Sequence, residues 1–308
     1  MTAPRYGLPP IFIHEKADFL PLAGEVNWGM MAFAIDRLRT ITDGAGIKVG
    51  GVDTGCDRKH SLLQNVVDAS DHTNSPFGPN DPHGHGTHIM GTILATDRRI
   101  GVAPGAIGYH GKGLGDSGSG GDGLLRAEDW CEAQGCVILS ESWGGGGLWQ
   151  EWERNAERRA AKGIWQILAG GNSGGGTQET DYPGRSLHCL NVAALSSDMT
   201  PASYSSAGDK IDTSGPGSDI WSCKPGGGFA RMSGTSMATP FIAGMLVLYR
   251  AALIKLGRRI PTVYELREKL FSRSTDIGPP GDDRRTGPGW LSPMLLSLDL
   301  APDLPLAG

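Results

Sequence analysis

Three stretches of this chain carry reactive side chains at places where the backbone could assist them. Gly234-Thr235-Ser236-Met237-Ala238-Thr239-Pro240 opens an apolar, helix-like run over residues 241–249. A serine there meets unpaired backbone N–H groups and the positive end of the helix dipole, which favour developing negative charge, so Ser236 is suited to nucleophilic attack. Hydroxyl residues also cap helices, and the stretch alone reads equally well that way. Asp53 follows the apolar run 47–52 and precedes Thr54-Gly55. The C-terminal end of a strand is where α/β sheets place functional groups, although a turn aspartate is the simpler reading of those three residues alone. Asp81-Pro82-His83-Gly84-His85-Gly86-Thr87-His88 leads into an apolar helix candidate, 89–95. Three histidines raise zinc. His83 and His85, however, stand two apart across a glycine with no fourth ligand nearby, and one base histidine near a helix start fits the spacing better.

Such groups need a frame. Residues 47–52, 137–140, 164–169 and 190–195 read as buried strands, and 100–105 as a turn opening a further one. Apolar spacing predicts helices over 28–38, 124–136, 149–162 and 263–271, besides the two that follow His85 and Ser236. Strands alternating with helices indicate an α/β fold, a largely parallel sheet covered on both faces. No repeat and no linker divides it. Prolines 9, 10 and 21 predict an extended arm within residues 1–24. Gly115-Asp116-Ser117-Gly118-Ser119-Gly120-Gly121 reads as a flexible loop at a substrate edge.

The 308 residues carry a net charge of −5 and no long basic run, so nucleic-acid binding has no electrostatic support. No stretch of about 18 apolar residues stands out, so no membrane span is expected. Residues 1–10 lack the charged-then-apolar pattern of a secretory leader. Five cysteines, an odd number with no CxxC pair, suggest reduced thiols rather than a disulfide or zinc framework. Together these imply a cytoplasmic protein, or a secreted one had a leader been removed.

Asp53-Thr54-Gly55, His85-Gly86-Thr87-His88 and Gly234-Thr235-Ser236-Met237-Ala238-Thr239-Pro240 resemble, in order, the three catalytic signatures of the subtilisin-like serine proteases, or subtilases. Gly170-Gly171-Asn172-Ser173-Gly174 resembles that family's oxyanion-asparagine loop, and Ser142-Trp143-Gly144 its substrate-binding strand. The resemblance spans residues 25–297, leaving 1–24 as an N-terminal extension and 298–308 as a tail. It implies a three-layer subtilisin-like fold and a serine endopeptidase working through an acyl-enzyme. Ser236 would attack, His85 would act as base and then acid, and Asp53 would orient His85. Asn172 and the Ser236 N–H would bind the oxyanion. Ser142, Trp143, Gly144, Gly170 and the loop carrying Gly118 and Gly120 would flank an extended peptide.

The same resemblance places Asp181, just before Tyr182-Pro183-Gly184, in the segment lining the base of the main specificity pocket. An acid there would favour Lys or Arg before the cut bond; an exposed loop aspartate is the plainer alternative. No cofactor is needed for the chemistry. The family's usual calcium site is expected to be missing, because Leu62 stands where relatives hold an acid and the loop 95–100 is short and basic. Asp53-Thr54-Gly55-Cys56-Asp57 resembles the intracellular subtilisins, whose N-terminal segment lies across the active site. Leu8-Pro9-Pro10-Ile11 could act alike, or form a plain surface arm. A protease of narrow specificity and a peptide-binding pseudoprotease are the alternative functions, and the second is disfavoured because Asp53, His85 and Ser236 are all present.

Overall fold

The structure is a computed structural model and describes residues 5–19, 24–176 and 179–291. The tail, 298–308, lies outside the described residues, as do residues 1–4 and 20–23 of the arm. In chain order the strands are β1 Tyr6–Gly7, β2 Phe12–Phe19, β3 Lys48–Asp53, β4 Val66–Asp71, β5 Ile107–Lys112, β6 Ser119–Gly120, β7 Ile138–Glu141, β8 Trp165–Ala169, β9 Leu190–Leu195, β10 Thr213–Pro216, β11 Ile220–Cys223, β12 Phe229–Ser233, β13 Ser274–Thr275 and β14 Trp290–Leu291. The helices are α1 Trp28–Ala32, α2 Ile35–Arg39, α3 His85–Leu94, α4 Asp122–Ala133, α5 Gln150–Ala161, α6 Thr235–Lys255 and α7 Val263–Arg273.

Nine strands form one sheet in the order β13-β14-β10-β9-β8-β7-β3-β5-β4, parallel except for β13 against β14. Helices α2, α3 and α6 cover one face, α4 and α5 the other, and a separate apolar core fills each side. This is the three-layer arrangement the strand–helix alternation implied. Glycines in the central strand let both layers close on it. A methyl group at Gly50 would fall 2.7 Å from Leu139 Cδ2 on one face, and at Gly51 2.5 Å from Met90 Sδ on the other.

Three expectations need correction. The helix expected over 28–38 is two short helices, because Ala34 takes a left-handed conformation (φ 46°). Phe33 and Ile35, on either side of this break, are both fully buried. The second concerns apolar length: α6 is long and apolar enough to cross a membrane by composition, but 94% of that window is buried in the protein, and it is the central helix of the larger core. The strand expected to open within 100–105 begins at Ile107, after a turn.

Candidate active site

The strand order reverses at β3, with β5 and β4 on one side and β7 to β10 on the other. At such a point the connections leave in opposite directions and open a crevice at the carboxyl ends of the strands. Asp53 ends β3 at that rim and is fully buried. Its Oδ1 accepts the Thr54 N–H at 2.8 Å and lies 2.7 Å from His85 Nδ1. Burial pushes this carboxyl up, but the charge and hydrogen bond of His85, aided by His110 and the Thr54 N–H, outweigh it and hold Asp53 below the usual carboxylate range. An ionised Asp53 favours the tautomer with the proton on Nδ1, which leaves His85 Nε2 free to act as a base.

His85 is the first residue of α3, and Asp81 sets that helix in place. Asp81 Oδ1 accepts from Thr54 Oγ1 (2.8 Å) and Gly84 N (2.8 Å), and Oδ2 accepts from Thr87 N (2.7 Å) and Thr87 Oγ1 (2.7 Å). One carboxylate thus caps the helix carrying His85 and ties it to the residue after Asp53. His110, from β5, packs beside them; its Nε2 accepts the Gly55 N–H at 3.2 Å, and burial pulls its pKa down to about 4.

Ser236 is the second residue of α6. Pro240, four residues on, has no N–H to offer the Ser236 carbonyl, and Ser142 Oγ donates to it instead at 2.9 Å. The Ser236 hydroxyl in turn donates to the Ser142 carbonyl at 3.3 Å. His85 Nε2 is buried without a hydrogen-bond partner among the described residues, so no Ser236–His85 bond is formed here. Asn172 follows β8. Its Oδ1 is anchored by Thr235 N and Thr235 Oγ1, each at 2.9 Å, which aims Nδ2 into the crevice.

The crevice is occupied by the chain's own arm. Gly7 exchanges both backbone hydrogen bonds with Gly144 (3.1 and 2.9 Å), and Leu8 N donates to Gly118 O at 2.9 Å. Tyr6 and Gly7 pair with Gly120 and Ser119, so the arm is a strand between two edges. Tyr6 is buried against Trp143, Trp149 and Tyr182, with its hydroxyl donating to Gly147 O at 2.7 Å. Carried two residues on, this antiparallel register puts Pro9 opposite Ser142. Yet the carbonyl that accepts from Asn172 Nδ2, at 2.7 Å, belongs to Pro10. Neither proline has an N–H to donate to the Ser142 carbonyl, and that acceptor is the one the Ser236 hydroxyl has taken.

A peptide carbonyl resting on an amide N–H beside a helix-borne serine is the pose an acyl-transfer enzyme offers its substrate, so fold and site fit a serine hydrolase of α/β build. The chain belongs to the subtilase family, whose family model matches residues 44–289. It is 35% identical over 249 residues to the intracellular serine protease of Paenibacillus polymyxa, covering 77% of this chain and 76% of that one. It is 34% identical over 263 residues to subtilisin DY of Bacillus licheniformis (83% and 94%), and 32% over 273 residues to M-protease of Shouchella clausii strain KSM-K16 (87% and 69%). The protein is a serine endopeptidase acting on proteins or peptides.

The structure brings Asp53, His85, Ser236, Ser142 and Asn172 to one rim. Gly118, Gly120 and Gly144 meet the arm through their backbones, Trp143 is buried behind it, and Gly170 O accepts the Asp181 N–H at 2.9 Å. Sequence reasoning missed Asp81 and His110. Asp81 stands four residues before the first residue of α3, outside the usual cap position, so the sequence marked neither it nor His110. Cys56 lies three residues after Asp53. It is buried, and burial pushes its thiol well up, so little thiolate forms.

Proposed function

We propose that Ser236 attacks the substrate carbonyl while His85 Nε2 takes its proton, that Asp53 holds the imidazole, and that Asn172 Nδ2 with the Ser236 N–H binds the tetrahedral oxygen. The Pro10 carbonyl on Asn172 Nδ2 carries this reading, because it shows the amide engaging a peptide carbonyl beside the serine. The peptidase unit is residues 25–297. Residues 1–24 are the inhibitory extension, of which residues 6–10 lie in the cleft as a substrate would. Its chain is one residue out of step: by register the bond after Pro9 faces the nucleophile, while the oxyanion amide holds the next carbonyl. An intracellular setting is supported by the five buried, unpaired thiols and by the likeness to an intracellular protease.

One experiment tests both parts: the rate at which a fluorophosphonate labels the full chain, the chain lacking residues 1–10, and Ser236→Ala. Labelling should be confined to Ser236 and faster without the arm. Label that survives Ser236→Ala removes the nucleophile assignment; equal rates with and without the arm make it a surface strap.

The loop 95–100 is further proposed to hold no calcium. Its one carboxylate, Asp97, is engaged by Arg99 at 2.6 Å, and the Leu62 carbonyl already accepts the Thr96 N–H at 3.0 Å. Calcium takes six to eight oxygen ligands, which this loop does not present. A chelator should leave the melting temperature where it was; a large drop refutes the proposal.

A further inference from the structure

Asp181 packs against Gly144 and Gly171, beside the cleft. It follows the loop after Asn172, and its N–H is held by Gly170 O. Its side chain lies between Gly144, which pairs with Gly7 of the arm, and Gly171, the residue before Asn172. A methyl group at Gly144 would fall 2.8 Å from Asp181 Cβ, and one at Gly171 2.6 Å from Asp181 Oδ2 and 2.9 Å from Ser206 Oγ. Glycine at 144 and 171 therefore makes the space that the carboxylate occupies, and any other residue at either place would drive it out. The exposed-loop reading of this residue does not describe its position: it is only partly accessible.

Nothing in the protein uses this charge. Among the described residues its oxygens take no hydrogen bond and form no ion pair. Arg185, the cation close enough to act on it, is exposed and unpaired with it. Burial raises the Asp181 carboxyl and Arg185 only partly offsets that. A half-buried carboxylate without a partner is costly, and such a group persists where a ligand supplies the missing charge. The resting occupant does not supply it: register places Pro9, which has no cation, in the position beside Ser142.

We infer that Asp181 is the specificity-determining residue of the site and selects substrates with Lys or Arg immediately before the cut bond. This rests on the proteolytic reading of Ser236 given above. A side chain four or five bonds long, entering between Gly144 and Gly171, brings its ammonium or guanidinium to the Asp181 oxygens. Arg185 is the competing cation, and it sits on the solvent side.

Two measurements test this. In the first, chromogenic tetrapeptides Tyr-Gly-Leu-Xaa, built on the arm's own Tyr6-Gly7-Leu8, are compared with Xaa as Lys, Arg or Leu. The kcat/KM for Lys and Arg should exceed that for Leu by roughly tenfold or more, the worth of one charge-assisted contact. Asp181→Asn should remove the difference through a fall of kcat/KM for the Lys and Arg peptides. Equal rates in the natural chain, or a basic preference that survives Asp181→Asn, overturn the inference. If no peptide is cut and Ser236 takes no fluorophosphonate, the proteolytic reading itself has failed.

The second measurement needs no turnover. In the full-length Ser236→Ala chain, Pro9→Lys places a cation in the arm at the position opposite Ser142. It should raise the melting temperature relative to Pro9→Leu, and Asp181→Asn should abolish that gain. No difference between the Lys and Leu variants means Asp181 does not receive a cation there.

Discussion

Asp81 makes no contact with substrate, yet it decides where His85 stands. Four hydrogen bonds from Thr54, Gly84 and Thr87 converge on its two oxygens in a buried setting. Asp81→Ala should cost about 2–3 kcal/mol, the loss of a buried charged cap. It should also lower kcat more than it raises KM, because the imidazole and its carboxylate lose their common tie. Melting curves and steady-state kinetics on one peptide check both; an unchanged kcat would make Asp81 a purely structural cap. At this scale much was legible in the sequence. Asp53, His85, Ser236 and Asn172 each sit in a short stretch whose neighbours are dictated by local backbone needs, glycine for close approach and a helix start for dipole and N–H groups. The sequence did not disclose the swing of the Ser236 hydroxyl toward Ser142. That depends on which N–H groups the occupant of the cleft brings, and the occupant comes from the far end of the chain.

Among the elements, the arm was legible as extended from its prolines, while its place in the cleft was offered only by the resemblance, beside a plain surface arm, since prolines dictate shape and not destination. Tyr6 anchors it. The ring stacks on Trp149 at 5.1 Å between centroids and meets Trp143 edge-on at 5.8 Å. Burying an aromatic ring of this size is worth about 1.5–3 kcal/mol. Tyr6→Ala should therefore loosen the arm and speed peptide hydrolysis by the full chain by roughly 10–100-fold, up to the rate of the chain lacking residues 1–10. A rate unchanged by Tyr6→Ala would mean that the strand pairing of Gly7 and Leu8 holds the arm without the ring. The hairpin β11–β12 went unread, although Lys224-Pro225-Gly226-Gly227-Gly228 carries its signal: all three glycines take positive φ (82°, 98° and 73°). Much of its flanking strand sequence is buried, so the alternation that marks a strand is blurred. The strands β3, β7, β8 and β9 lie close to where their apolar runs predicted, because central parallel strands are apolar along their whole length.

For the whole molecule, the layer opposite α6 contains a feature with a clear pH signature. Glu141, the last residue of β7 and the neighbour of Ser142, is fully buried, and Gln166 Nε2 donates to it at 2.9 Å. Burial and the nearby Glu128 push its carboxyl well above the ordinary value of 4.5, while Arg159 is ion-paired with Glu128. A carboxyl raised in the folded state keeps a proton that the unfolded chain has lost. Its contribution is complete below the unfolded value and declines as pH rises from about 4.5 through the folded value. Glu141→Gln should therefore stabilise the protein increasingly as pH rises, and the gap between the two melting curves should close toward acid. A gap that is constant with pH would show that Glu141 titrates normally. The arm adds a last consequence at this scale. Because the segment paired with Gly144 and Ser119 belongs to the same chain, its local concentration is set by the tether and not by the solution. Diluting the protein should therefore not dislodge it, and the arm of each molecule should stay or leave independently of how many others surround it.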